Sequence, residues 1–264
     1  MRTRIPLPSF VLALLLLPVL AVAAEAKEEK EAKPSADALV RQVDKRMSMQ
    51  SDYRGVVRIR ETRKDGIERL IEMQVYRRDS SQNFLMVITQ PRNLAGGGYL
   101  RIGKNLWEYN AALGHWERTT RRANIVGTIA CEGDFDRSRL SEDYTAVDEG
   151  EEVIQGTRYR KVYLSARPDT EVSFAHLRLW LDPDLNIVKR IGYAPSGRVL
   201  RTDLVRSYQK LKDPITQQPI IHYREVFEQE EEEGTQLVVR YEDVQLTPLS
   251  PNLFTKSWLE GRLR

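Results

Sequence analysis

The residues of this sequence that could do chemistry are few and poorly spaced for it. Its three histidines, His115, His176 and His222, are scattered, and none falls in an HExxH or other paired spacing that would hold a metal. Each reads as a strand-surface residue. The single cysteine, Cys131, has Glu132 and Asp134 close by, and carboxylates beside a thiol raise its pKa and blunt it as a nucleophile. Asp134 and Asp136 flank Phe135 and could be drawn as an acid pair, but a helix cap plus a surface acid accounts for them. Pro195-Ser196-Gly197 is a hairpin turn rather than a nucleophile elbow. Gly96-Gly97-Gly98 is followed by neither a helix nor the Lys-Ser/Thr pair of a phosphate loop. What remains is binding chemistry. Arg118, Arg121, Arg122, Arg137 and Arg139 form a basic loop set whose guanidinium groups suit acidic headgroups or an acidic partner surface. The expectation is a protein that is not an enzyme and carries no cofactor and no metal.

The elements that must position these residues are mostly strands. Pro34-Ser35 opens a helix, with Ser35 as N-cap and Leu39, Val40, Val43 and Met47 on one stripe. From Tyr53 the period changes to two. Val57 and Ile59 alternate with arginines, Lys64-Asp65-Gly66 turns the chain, and Ile71, Met73 and Val75 share a face on the return. Phe84 to Ile88 is apolar on both faces. Strands follow at Tyr99–Ile102, Leu106–Asn110 and His115 to about Thr120, whereas residues 121–143 show no clear period. Strands resume at 152–154, 159–166, 175–181, 187–193, 199–208, 220–227 and 237–246, the last two joined through the acidic run Glu228–Glu233. A short helix at Lys256–Leu259 closes the chain. This is an antiparallel meander with one helix before it and one after.

Charge and leader bound the partners and the compartment. Arg2 and Arg4, the apolar run Phe10–Val22 and the small residues Ala21-Val22-Ala23 predict a cleaved signal peptide over 1–23, too short to span a membrane. Residues 24–34 read as a charged linker and 35–264 as a single domain. The formal charge of +3 falls to +1 once residues 1–23 are removed, which gives no sign of a nucleic-acid partner. One cysteine cannot form an intrachain disulfide, so stability rests on the core.

So many strands in one meander must curl, and a curled sheet encloses an apolar concave face. Two short helices fill it incompletely, which points to a hydrophobic ligand. Val57, Ile59, Met73, Val75, Met86, Trp107, Tyr109 and Trp116 are the expected lining. An outer-membrane barrel is disfavoured because Arg58, Arg77, Arg160, Arg178 and Arg190 fall mid-strand and would break a lipid-facing belt.

The segment GYLRIGKNLWEYNAALGHWERTTRR, followed by Gly127-Thr128, Asp134-Phe135 and Asp143-Tyr144, resembles the LolA-like outer membrane lipoprotein-sorting protein family. Leu179-Trp180-Leu181-Asp182 before a turn and Asn252-Leu253-Phe254-Thr255 near the end fit the same resemblance. It implies a highly curved antiparallel half-barrel capped by helices, located in the periplasm. Its concave face would carry the acyl chains of a lipoprotein or another lipid, with an inner-membrane transporter or permease as a candidate protein partner. The alternative is an envelope sensor of the same fold that signals to a membrane protein. The chain departs from the family at Ala111-Ala112, where a proline is common, and at Ile129-Ala130-Cys131-Glu132 in the loop.

Overall fold

The first helix begins where its cap predicts. In the computed structural model, which describes residues 34–262, the Ser35 Oγ accepts the Ala38 N–H and α1 runs Ala36–Met47. The expected signal peptide, and the linker apart from Pro34, lie outside the described residues. Among those described, thirteen strands form one open antiparallel sheet. They are β1 (Tyr53–Thr62), β2 (Glu68–Arg78), β3 (Asn83–Gln90), β4 (Gly98–Ile102), β5 (Asn105–Asn110), β6 (His115–Thr119), β7 (Tyr144–Ile154), β8 (Thr157–Ala166), β9 (His176–Leu181), β10 (Ile187–Tyr193), β11 (Val199–Lys212), β12 (Pro219–Glu230) and β13 (Gln236–Leu246). Strand β7 starts earlier than its alternation suggests, because the acids Asp148–Glu152 and a bulge between Asp148 and Gly150 interrupt its pattern.

The strand order is β6-β5-β4-β3-β2-β1-β13-β12-β11-β10-β9-β8-β7. The first and last strands therefore pair at the centre, and β6 and β7 are the two edges. The chain passes from one edge to the other through residues 120–143, a strap that ends in the short helix α2 (Leu140–Asp143).

Two apolar clusters fill the inner face of this curved half-barrel. One lies on β1–β5, β12 and β13, where Val57, Ile59, Ile71, Met73, Val75, Met86 and Tyr99 are covered by Ile125, Ala130 and Phe135 of the strap. The other lies on β8–β10, where Val162, Leu164, Leu177, Leu179 and Leu181 are covered by Leu39, Val40 and Val43 of α1. The helical stripe thus packs on the sheet as its spacing requires. Asp44 of α1 also accepts the N–H groups of Leu140 and Ser141 at 3.1 and 2.7 Å, which fastens α2. On the outer face a third cluster joins Leu85, Val87, Leu100 and Tyr109 to Leu253, Phe254 and Leu259 around α3 (Lys256–Gly261). Among the described residues no helix is long and apolar enough to cross a membrane.

Candidate functional site

The strap is pinned to the inner face by charge as well as by apolar contact. Glu132, Asp134 and Asp136 alternate along it, and each carboxylate is buried against arginines. Arg101 on β4 stands 2.8 Å from Glu132 Oε1 and 2.7 Å from Asp136 Oδ1. Arg121, from the strap itself, meets the other oxygens of the same two acids at 2.8 and 3.0 Å. Asp134 is held by Arg201 on β11 at 2.5 Å and Arg190 on β10 at 3.1 Å. Both arginines also contact Asp203, and Arg201 lies 3.3 Å from Glu228. Several of these pairs, such as Arg101 Nε with Glu132 Oε1, are close but out of line for a hydrogen bond, so the contact is electrostatic. Backbone bonds add to the pinning: the Val126 N–H donates to Tyr99 Oη, and Tyr241 Oη donates to the Asp134 carbonyl.

Burial and charge split these acids. Burial alone would raise Asp134, but Arg201 and Arg190 outweigh it and hold the carboxyl well below its usual range. Asp136 is lowered in the same way, the burial penalty being overcome by Arg101, Arg77 and Arg121. Burial raises Glu132, reinforced by Asp136, against the pull of Arg101 and Arg121. Burial also pushes Glu228 up, reinforced by Asp134 and Asp203, against the pull of Arg201.

Where the two inner clusters meet, the strap leaves a cavity of about 140 Å³. Its apolar walls include Phe135, Leu140, Phe174, Leu177, Ile187, Val226 and Tyr241, and its rim includes Arg137, Ser138 and Arg139. Ligand pockets for drug-sized molecules are commonly ~300–1,000 Å³, so a whole acyl chain does not fit unless the strap yields. A second cleft of about 390 Å³ at the sheet's end is lined by Glu61, Arg63, Lys64, Asn124 and Thr128 and lacks an apolar body.

Catalytic chemistry is poorly served here. The Cys131 thiol is pushed up to about 12, by burial and then by Asp134, which leaves it protonated. His222 is not a surface residue. It is buried between the rings of Tyr53 and Tyr241, and burial lowers it to about 4. His176 is half-buried beside Ser165, and only His115 is exposed on its strand. Asp136 is no surface acid, and Asp134 caps a single 3₁₀ turn, Glu132–Asp134, from its third position, its carboxylate accepting the N–H of the N-cap residue Cys131. Glu228, expected in an exposed tip, is buried near the end of β12. Among the described residues no group of His, Cys, Asp and Glu is arranged to hold a metal.

The expected lining divides between two faces. Val57, Ile59, Met73, Val75 and Met86 do meet on the inner face, but they lie buried in the core under the strap and do not line the cavity. Trp107, Tyr109 and Trp116 point the other way: the register places Trp107 with Leu100, Leu85 and Tyr76, and Tyr109 with Trp116 on the α3 side. The physical reason is β3. Its Phe84–Ile88 run is apolar on both faces, so no polar residue marks which parity is inward for the strands that follow. The glycines before β4 serve the same close sheet; a Cβ on Gly98 would lie 2.0 Å from the Met86 carbonyl oxygen. The basic loop set is divided as well. Arg137 and Arg139 stand at the cavity rim and Arg121 reaches it from the buried network, whereas Arg118 bonds Asn105 on β5 and Arg122 is exposed. Sequence reading missed Arg77, Arg101, Arg190 and Arg201 as inward anchors; the period-two acids Glu132, Asp134 and Asp136 outside any predicted strand were the available signal.

The fold is LolA-like. Solved structures with the same architecture include a LolA superfamily protein from Nitrosomonas europaea (22% identity, TM-score 0.73, covering 85% of this chain and 99% of that one). A DUF1329 family protein from Desulfovibrio piger is similar too (18% identity, TM-score 0.73, covering 85% and 97%). So is a protein described as a putative outer membrane lipoprotein-sorting protein domain from Vibrio parahaemolyticus (17% identity, TM-score 0.72, covering 85% and 98%). The chain belongs to the family whose model, described as "-like: Uncharacterized protein", matches residues 80–261. No curated protein matches the sequence.

Proposed function

We propose that this protein is a non-enzymatic periplasmic carrier that binds the acyl chains of a lipoprotein or another lipid against its inner face, in the service of outer-membrane sorting. One observation carries the reading. The inner face of the curved half-barrel carries two apolar clusters, and the one over its β1–β5 half is covered by a segment of the chain's own backbone rather than by a second sheet. Displacing that segment exposes Val57, Ile59, Met73, Val75 and Met86 together, and apolar burial contributes ~0.8 kcal/mol per CH₂. Two acyl chains would thus be held strongly with no covalent chemistry. The thioether side chains of Met73 and Met86 adapt to flexible chains. An inner-membrane transporter or permease would be the donor.

Native mass spectrometry of the protein, purified gently from a periplasmic extract, tests this. The expected spectrum shows added lipid or acylated-peptide mass, and a stripped sample takes up added lipid. A bare chain mass, with no uptake of added lipid, overturns the reading.

A further inference from the structure

We propose that the ligand carries an anionic headgroup, and that Glu142 occupies the headgroup's place while the site is empty. The proposal rests on the inner face being an amphiphile site, and it names the chemistry at that site's rim.

The geometry is that of a bound acid. Arg137 Nη1 and Nη2 donate to the two oxygens of Glu142 at 2.5 and 2.7 Å, the two-pronged fit by which a guanidinium recognises a carboxylate or a phosphate. Arg139 Nη2 stands 3.5 Å from the same carboxylate while its main bonds go to Asp143. Both arginines line the cavity, as do their apolar neighbours in sequence Phe135 and Leu140.

The Glu142 carboxylate differs from the other strap acids. Its side chain is 47% exposed, against 2% for Asp136 and 0% for Glu132. Its partner is five residues away in the same strap, so the pair ties no distant elements together. The fastening of this segment is done by Asp44 and by the Arg139–Asp143 pair. Glu142 is thus a carboxylate whose removal releases an arginine fork without releasing the strap.

The interior sets the orientation. Asp134, Asp136, Asp203 and Glu228 line the cavity together with Arg77, Arg121 and Arg190, and these interior arginines are taken up by ion pairs with the acids around them. An anion entering first would find no interior guanidinium free of an acid, so the chain leads and the anionic group stays at Arg137 and Arg139. A neutral or zwitterionic headgroup gains less from the two guanidinium groups.

The test compares two lysophospholipids with one acyl chain in common, one bearing a phosphoglycerol headgroup and one a phosphocholine, by titration calorimetry on the full protein. The anionic lipid should bind about tenfold tighter at low salt, a gap that narrows as salt is added. Glu142→Gln should tighten the anionic lipid and leave the phosphocholine lipid unchanged. Arg137→Gln should remove the preference, with the circular dichroism of each variant checked for retained fold. Glycerol phosphate, which has the charge but no chain, should not compete. Equal affinity for the two lipids, or a preference untouched by either substitution, overturns the headgroup assignment and leaves the amphiphile site standing. Competition by glycerol phosphate at equal strength makes the rim a simple phosphate site and overturns it too. If neither lipid binds, the amphiphile reading itself fails.

Discussion

The two faces of the β1–β6 half of the sheet are both covered, by opposite means. On the outer face Leu253, Phe254 and Leu259 lie on Leu85, Val87 and Leu100, an apolar contact with polar groups only at its margin. There Lys256 Nζ sits about 5 Å from the Trp107 and Trp116 rings, at 4.9 and 5.0 Å. On the inner face the strap brings Ile125, Ala130 and Phe135, but also three buried carboxylates met by arginines from β4, β10 and β11. Apolar contact is additive and tolerates small shifts. A buried charge network is closer to all-or-none, because each charge left without its partner keeps its full desolvation cost. The outer cover tolerates the loss of single contacts, whereas the inner one depends on its charges staying in register.

Removing one anchor of the inner cover should give the largest effect. Arg201→Met leaves Asp134 and Asp203 short of a partner and should cost about 3–5 kcal/mol in urea unfolding. A loss under about 1 kcal/mol would mean the network contributes nothing cooperative. On the outer cover Leu259→Ala should cost about 2–5 kcal/mol, with the strap's hydrogen exchange unchanged. If exchange in the strap rises as well, the two covers are not independent.

Acid should discriminate between the faces. His222 is buried neutral and lowered to about 4 from an ordinary 6.5. The unfolded chain therefore binds the extra proton first, and stability falls as pH drops from 6.5 through 4, by up to about 3 kcal/mol. His222→Gln should flatten that limb of the pH–stability curve, and an unchanged slope would assign it to other groups. Glu228 acts in the opposite sense. Its pKa, pushed up to about 8, gives stability that is fully present below about 4.5 and lost as pH rises from there through 8, so Glu228→Gln should flatten that loss. The smallest effect belongs to Glu142→Gln, within about 0.5 kcal/mol by thermal melting, because its ion pair is half-exposed and local.

Most of the architecture could be read from the residues because it is encoded locally. Alternation in β1, β2, β5 and β12, and turns such as Lys64-Asp65-Gly66, place the strands within a few positions of where they stand. The pairing of β1 with β13 and the strap's passage between the two edges leave no local trace. Facing was lost at β3, where both sides are apolar, and that error carried Trp107, Tyr109 and Trp116 to the wrong side. The anchors were missed for a different reason. Arginine and aspartate are expected outside, and only their partners across the sheet explain Arg101, Arg190, Arg201 and Asp134 inside.

The central pairing of the first and last strands has a kinetic consequence. Val57 opposes Tyr241, 184 positions later, so the middle of the sheet closes only once the C-terminal strand is available. Each half can form its own hairpins early, but joining them requires a loop closure over most of the chain, and contacts of that separation slow folding. During that interval β1 and β13 both expose open edges, which makes the last step of folding the one at which neighbouring molecules could exchange strands.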